Sequence, residues 1–263
     1  MLVEDYPTNQ HVALKHLREA GYQVDLVEDG SKAVAIFQKN KYDLILMDVQ
    51  MPVMDGYRAT RRIRELEKER RKVDGSGNLE RIPIIATTAN ALKGDREKCL
   101  ASGMDDYISK PLRRKLPMTT VEKWLFQGDS GDLFSEDKGS VTGKSATSSS
   151  APMDVERAID EFEGDRAFLV EVLKGFVDNV TQQLAILNQA VRDNDAERVA
   201  KEAHAIKGGA ANLTAKALAD AAHMLEKTAK SGDLTNATIY LEKLEEELQD
   251  IRVFFPDKNN KRI

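Results

Sequence analysis

In Leu44-Ile45-Leu46-Met47-Asp48-Val49-Gln50-Met51-Pro52-Val53-Met54-Asp55-Gly56, four large apolar residues run directly into an aspartate. A carboxylate in that place is costly unless something uses its charge. The apolar run reads as one strand of a parallel sheet covered on both faces. Open sheets of this kind bind ligands at the carboxyl ends of their strands, where Asp48 falls.

Working outward, residues 1–125 alternate short apolar runs with amphipathic segments, the pattern of a doubly wound α/β fold. Strands are predicted at Met1–Val3, Gln23–Val27, Asp43–Met47, Ile82–Thr87 and Asp106–Ile108. Helices are predicted at Thr8–Ala20, Ser31–Lys39, Asp55–Arg71, Gly94–Ala101 and Thr119–Leu125. The result is a five-stranded parallel sheet of flavodoxin-like topology with helices on both faces. The first strand is short, with three residues before the acidic pair, so the chain is expected to begin inside a longer protein. Residues 72–81 read as an extended surface loop, whose length costs little entropy.

Residues 127–152 are rich in Gly, Ser, Asp and Lys, lack periodicity, and read as a flexible linker. From Met153 the pattern is helical throughout, with helices predicted at Asp154–Phe162, Asp165–Arg192, Ala196–Asn212, Thr214–Ser231 and Leu234–Phe255. Asp165, Asp195 and Thr214 are candidate N-caps and Gly232 a C-cap. Short connections make the helices antiparallel neighbours, hence an all-α helical bundle. The expected division is 1–126, 127–152, 153–257, and a polar tail at 258–263. A loose joining of the two domains follows from the linker's composition.

The composition narrows the function classes. A chain of 263 residues can bury two separate cores. A net charge of −5 leaves no basic footprint for nucleic acid. No apolar stretch reaches the ~18–20 residues of a membrane span. The single Cys99 fits a reducing cytoplasm, with membrane anchorage of a parent protein left open. Four histidines and one cysteine show no zinc-ligand spacing.

Glu4 and Asp5 end the first strand and Asp48 the third. In this fold those strands are neighbours, so three carboxylates converge and would raise one another's pKa unless a cation neutralises them. Mg²⁺, which seeks oxygen ligands and keeps several waters, suits such a site. Together with Thr88 in Ile84-Ile85-Ala86-Thr87-Thr88-Ala89-Asn90 and Lys110 in Ser109-Lys110-Pro111, the segment resembles the two-component receiver family. The resemblance makes Asp48 the phosphoacceptor. It implies Mg²⁺ held by Asp48, Asp5 and the Gln50 backbone carbonyl, with Glu4 acting directly or through water. It implies that Lys110 and the Thr88 hydroxyl contact the phosphoryl group, that Thr88 and Tyr107 form the switch, and that the Lys110–Pro111 bond is cis. A haloacid-dehalogenase-type phosphatase would need a second aspartate where Gln50 stands.

Val199, Ala203, Ile206, Ala210 and Leu213 mark the core stripe of a later helix. His204, Lys207, Gly208 and Ala211 follow i, i+3, i+4, i+7 on a flanking face, so His204 is expected to be exposed. Gly208-Gly209 inside a helix costs roughly 1 kcal/mol per glycine, which close approach of a partner would offset. Alanine at either position is therefore expected to stabilise the isolated bundle, and a larger side chain such as Gln to do so less strongly while blocking phosphotransfer. Ala203-His204-Ala205-Ile206-Lys207-Gly208-Gly209 resembles the phosphorylated helix of histidine phosphotransfer (HPt) domains. The pattern departs from that family at Thr214, where glycine is common. The resemblance makes His204 the phosphohistidine, with Lys207 beside the added negative charge. His11 and His16 are expected to be solvated, and Trp124 and Phe126 to pack. His223 could pack or lie at the surface, and Phe254-Phe255 is expected to close the bundle.

Neither half has a glycine-rich phosphate loop, so ATP chemistry is not expected of this chain. A receiver followed by an HPt bundle resembles the C-terminal end of a hybrid sensor histidine kinase. The implied partners are an upstream histidine kinase domain and a downstream receiver. A free-standing relay intermediate and a regulatory interaction module are the alternatives.

Overall fold

The computed structural model describes residues 1–74, 81–88, 93–110, 115–126, 151–162 and 164–254. Its apolar runs become five short parallel strands: β1 (Leu2–Val3), β2 (Leu26–Val27), β3 (Ile45–Asp48), β4 (Ile84–Thr88) and β5 (Asp106–Ser109). They lie in the order β2-β1-β3-β4-β5. The chain steps from β1 outward to β2 and then back across to β3. The ends of β1 and β3 therefore flank the topological switch point, where such sheets hold ligands.

Helices α1 (Pro7–Glu19), α2 (Gly30–Phe37), α3 (Gly56–Asp74), α4 (Lys93–Ser102) and α5 (Lys115–Phe126) cover the sheet. Pro7 opens α1, where its fixed φ suits the first helical turn. Asp29 caps α2 by accepting from the Lys32 N–H at 2.8 Å. Alternation along the strands splits the core in two. Leu2, Leu46, Ile85 and Ile108 pack with Ala13, Leu17 and Val121 on one face. Val3, Ile45, Met47 and Ile84 pack with Phe37, Ile63 and Cys99 on the other. The predicted loop at 72–81 begins later than expected, because α3 runs on to Asp74; residues 75–80 lie outside the described residues.

The second half folds as α6 (Val155–Glu161), α7 (Arg166–Arg192), α8 (Ala196–Asn212), α9 (Lys216–Lys230) and α10 (Ala237–Phe254). Asp154, Asp165 and Asp195 cap the first three by accepting from the N–H three residues on. Thr214 is not an N-cap. It holds a left-handed φ of 57°, donates its hydroxyl to the Asp154 carbonyl at 2.7 Å, and leaves α9 to begin after Ala215. That φ explains why glycine suits this position. The predicted stripe Val199, Ala203, Ile206, Ala210 and Leu213 is fully buried.

The two halves share a core, which the expectation of a loose joining did not anticipate. Tyr6 and Val12 from the sheet domain belong to the hydrophobic cluster of the bundle. Lys15 pairs with Asp165 at 3.1 Å. His16, expected in solvent, is 2% exposed, because the bundle covers the outer face of α1 and the His16 ring stacks 6.2 Å from Phe162. His11 is exposed as expected. Trp124 packs with its indole N–H on Asp106 (2.9 Å), but Phe126 and Phe254 are exposed at the ends of their helices. The linker at 127–150, Pro111, Phe255 and the tail lie outside the described residues. Among the described residues no helix is long and apolar enough to cross a membrane.

Candidate functional site

The register of the sheet brings three acids together. β1 pairs with β3 through Val3 and Met47, so Glu4, Asp5 and Asp48 emerge at adjacent strand ends. One carboxylate oxygen from each lies within 4.8 Å of the others. Lys110 enters from the end of β5, its N–H held to the Thr88 carbonyl at 2.7 Å. Its ammonium lies 2.7 Å from Asp48 Oδ2 and 2.8 Å from Glu4 Oε2, with all three side chains at most 5% exposed. The Gln50 N–H donates to Asp48 Oδ1 at 3.2 Å. Gly56 is required by space: a Cβ there would stand 2.1 Å from the Asp48 carbonyl oxygen.

One lysine cannot neutralise two buried acids and a half-buried third. Burial pushes Asp48 up to about 8, with Glu4 adding to the rise and Lys110 opposing it. Burial and Glu4 push Asp5 up to about 6. Lys110 is nevertheless held charged: burial opposes its charge, but Asp48 and Glu4 outweigh that. The cluster is left with a surplus of negative charge. All its donors are hard oxygens, so the residues present fit an octahedral Mg²⁺.

Across from this cluster stands His204 of α8. Glu4, Asp5, Asp48, Gln50, Lys110 and His204 line one cavity of about 600 Å³, bordered by both halves and open to solvent. His204 was expected to be exposed, yet its side chain is only 17% exposed: its ring lies against Glu226 and lines the cavity shared with the sheet domain. Burial lowers its pKa below 6.5, with Lys207 and Lys110 pulling the same way and Glu226 opposing them. Glu226, on α9, was not anticipated from the sequence. Its carboxylate is 2.8 Å from His204 Nδ1, 2.5 Å from Lys207 Nζ and 2.6 Å from Lys230 Nζ. These partners depress its pKa against the effect of burial. A buried glutamate inside Ala221-Ala222-His223-Met224-Leu225-Glu226 could have been suspected only from its place on the apolar face of α9, on a different helix from the His204 motif. His223 is largely exposed.

Lys207 therefore faces Glu226, whereas Lys201 and Lys230 line the cavity. Gly208 also lines it, while Thr88 and Tyr107 are not among its lining residues. Thr88 is buried at the end of β4, and Tyr107 is half-buried on β5 against the sheet core. The two glycines differ. A Cβ on Gly208 would make ordinary contact with Asn9 Nδ2 at 3.5 Å. A Cβ on Gly209 would meet Tyr6 Cε1 at 2.5 Å and Phe176 Cε2 at 2.7 Å. Gly209 thus serves the bundle's own packing as well as docking, contrary to the expectation that alanine at either position would stabilise the bundle.

Residues 1–122 match the response regulator receiver domain and residues 171–254 the Hpt domain. The chain joins a receiver domain to an Hpt domain, the two domain types of phosphorelay signalling. It is 42% identical over 146 residues to "Probable histidine kinase 1" of Oryza sativa subsp. indica, covering 48% of this chain and 15% of that protein. It is 40% identical over 112 residues to the sensor histidine kinase RcsC of Escherichia coli (strain K12), covering 43% of this chain and 10% of the relative. The chain thus spans only a small part of the curated relatives it matches. Among solved structures, the receiver domain of the sensor histidine kinase PA1611 from Pseudomonas aeruginosa PAO1, with a magnesium ion in its active site cleft, is 49% identical. That match covers 47% of this chain and 93% of the other, at a TM-score of 0.41.

Proposed function

We propose that the chain carries a phosphoryl group from Asp48 to His204, as the C-terminal relay part of a hybrid sensor histidine kinase. We divide it into a receiver at 1–126, a linker at 127–152, a phosphotransfer bundle at 153–257 and a polar tail at 258–263. The observation that carries the reading is the single cavity lined by both Asp48 and His204.

In this reading Glu4, Asp5, Asp48 and the Gln50 carbonyl hold Mg²⁺, as the surplus charge of the three acids favours. When bound, the ion offsets charge on the phosphoryl oxygens. An Asp48 carboxylate oxygen attacks the donor's phosphorus and forms an acyl phosphate as the donor's bond breaks. Lys110, fully charged and 2.7 Å from Asp48, neutralises part of the developing charge. Thr88 supplies a hydrogen bond, and Thr88 with Tyr107 reports the phosphorylated state. The Glu226 carboxylate accepts from His204 Nδ1, which fixes the proton there and leaves the Nε2 lone pair free. Nε2 then attacks the phosphorus, the bond to Asp48 breaks, and Asp48 departs as carboxylate. Glu226 balances the charge of the resulting phosphoimidazolium. Lys201 and Lys230 border the space through which the group moves, and Lys207 keeps Glu226 in place.

Upstream we place a histidine kinase domain and downstream a separate receiver, with the chain in the cytoplasm. The test is labelled acetyl phosphate given to the full chain with Mg²⁺. The unsubstituted chain should carry acid-labile label at His204. His204→Gln should hold it at Asp48, and Asp48→Asn or chelation of Mg²⁺ should abolish labelling. Mg²⁺-dependent labelling of the Asp48→Asn chain would overturn the assignment.

A further inference from the structure

Tyr6 stands where the acidic end of β1 turns into α1, and it is 5% exposed. Its ring sits in the hydrophobic cluster of the bundle together with Phe176 and Val180. Because Gly209 lacks a Cβ, the ring can approach to where one would stand, 2.5 Å from Tyr6 Cε1. Any side chain at 209 would displace the ring. The Tyr6 hydroxyl donates to Gln183 Oε1 at 3.0 Å, and Gln183 Nε2 donates in turn to Glu202 Oε2 at 3.0 Å. The notch on α8 thus fits the ring, and the amide on α7 fits its hydroxyl. A buried aromatic anchor with one satisfied polar tip is the usual form of an interface hot spot.

The anchor is also coupled to the acidic site. Tyr6 follows Asp5 directly, and its N–H donates to Glu4 Oε1 at 3.3 Å. Asn9 reinforces the link: its Nδ2 donates to Glu4 Oε1 at 2.9 Å, and its Oδ1 accepts from Asn212 Nδ2 at 2.7 Å. Seating Tyr6 in its notch therefore sets the acidic cluster opposite His204.

We propose that Tyr6 is the specificity-determining residue of the receiver–Hpt contact. Its ring in the Gly209 notch and its hydroxyl on Gln183 make this Hpt domain take its own receiver in preference to one lacking an aromatic side chain there. While it is seated, the chain's own receiver stands opposite His204 in the shared cavity and keeps out the receiver of another chain. The inference rests on the reading that Asp48 passes its phosphoryl group to His204.

Two full-length chains test it. A donor carrying His204→Gln is labelled at Asp48 by acetyl phosphate, and an acceptor carrying Asp48→Asn receives the label at His204 in trans. Rates are taken per labelled donor at subsaturating acceptor. Tyr6→Ala in the donor should slow transfer at least tenfold. Tyr6→Ala in the acceptor should speed transfer severalfold, because the acceptor's own receiver no longer covers its His204. A residue needed only for folding would slow transfer from either side. Tyr6→Phe in the donor should raise KM and leave kcat unchanged. An unchanged rate from the Tyr6→Ala donor, or no gain with the Tyr6→Ala acceptor, overturns the proposal. If the unsubstituted pair passes no label, the relay reading itself fails and the proposal falls with it.

Discussion

His204 Nδ1 lies 2.8 Å from Glu226 Oε1, and that same carboxylate gathers the ammonium groups of Lys207 and Lys230. The imidazole is thereby oriented from behind by a neighbouring helix, and the two lysines keep the glutamate ionised. Burial works against charge on His204, so the ring stays neutral, and nucleophilic, below its ordinary range.

The pH dependence follows from that direction. Because the pKa of His204 is lowered from 6.5 in the folded, docked chain, the unfolded or undocked form binds more protons as pH falls past 6.5. His204 thus contributes no penalty above that pH, and docking weakens below it until the lowered value is passed. An NMR titration of the His204 ring should give a midpoint below 6.5 in the intact chain. Glu226→Gln should move it lower still, since the carboxylate is the group that raises it, and should slow transfer from Asp48 by about 10–100-fold, the usual cost of losing the partner that orients a histidine ring. A midpoint that rises in Glu226→Gln would sink this account.

Gly208 and Gly209 should respond oppositely to alanine. At 208 the new Cβ meets only Asn9 Nδ2 at 3.5 Å, so helix propensity dominates and the chain gains up to about 1 kcal/mol. At 209 it drives into the Phe176 ring at 2.7 Å, and Phe176 is fully buried with no room to yield. Overpacking there should cost about 1–3 kcal/mol. Urea unfolding of the two variants measures both; stabilisation by Gly209→Ala would show that the ring can move.

Val53 holds a φ of 64° with 81% of its surface exposed. A β-branched residue pays about 1–2 kcal/mol for that conformation, and at this exposure packing returns little of it. Val53→Asn should therefore stabilise the receiver half by about 1 kcal/mol, because Asn tolerates the left-handed region. Thr214→Asn, at a φ of 57°, should gain less, since the Thr214 hydroxyl bond to Asp154 is lost. Denaturant midpoints for the two variants check the order.

Asn212→Ala should weaken the contact between the halves. It leaves Asn9 Oδ1 buried without its donor, a loss of about 1–3 kcal/mol. Asn9→Ala/Asn212→Ala should cost less than the sum of the single changes, since both partners of one bond are gone. The protection of α1 amides in hydrogen exchange reads the effect, and strict additivity would mean the two asparagines act separately.

The local signals were legible in the amino-acid sequence. An apolar run ending in Asp48, acids at Glu4 and Asp5, and a strand-end Lys110 mark a sheet and its ligand end, because strand periodicity and charge placement are local properties. The stripe Val199–Leu213 likewise placed His204 on the flank of its helix. Three things were decided only by the tertiary structure. Glu226 becomes the anchor of His204 because α8 and α9 pack side by side, and nothing in the residues around it announces that contact. Thr214 fails as a cap because the turn before α9 forces it into a left-handed φ. His16 loses its solvent because the outer face of α1 is buried on the bundle, and His204 because its ring lies against Glu226 at the shared cavity. Helix periodicity shows which face of α1 meets the sheet. Whether the opposite face meets water or a second domain depends on residues such as Gln183, Gly209 and Asn212, which lie far along the chain in the bundle.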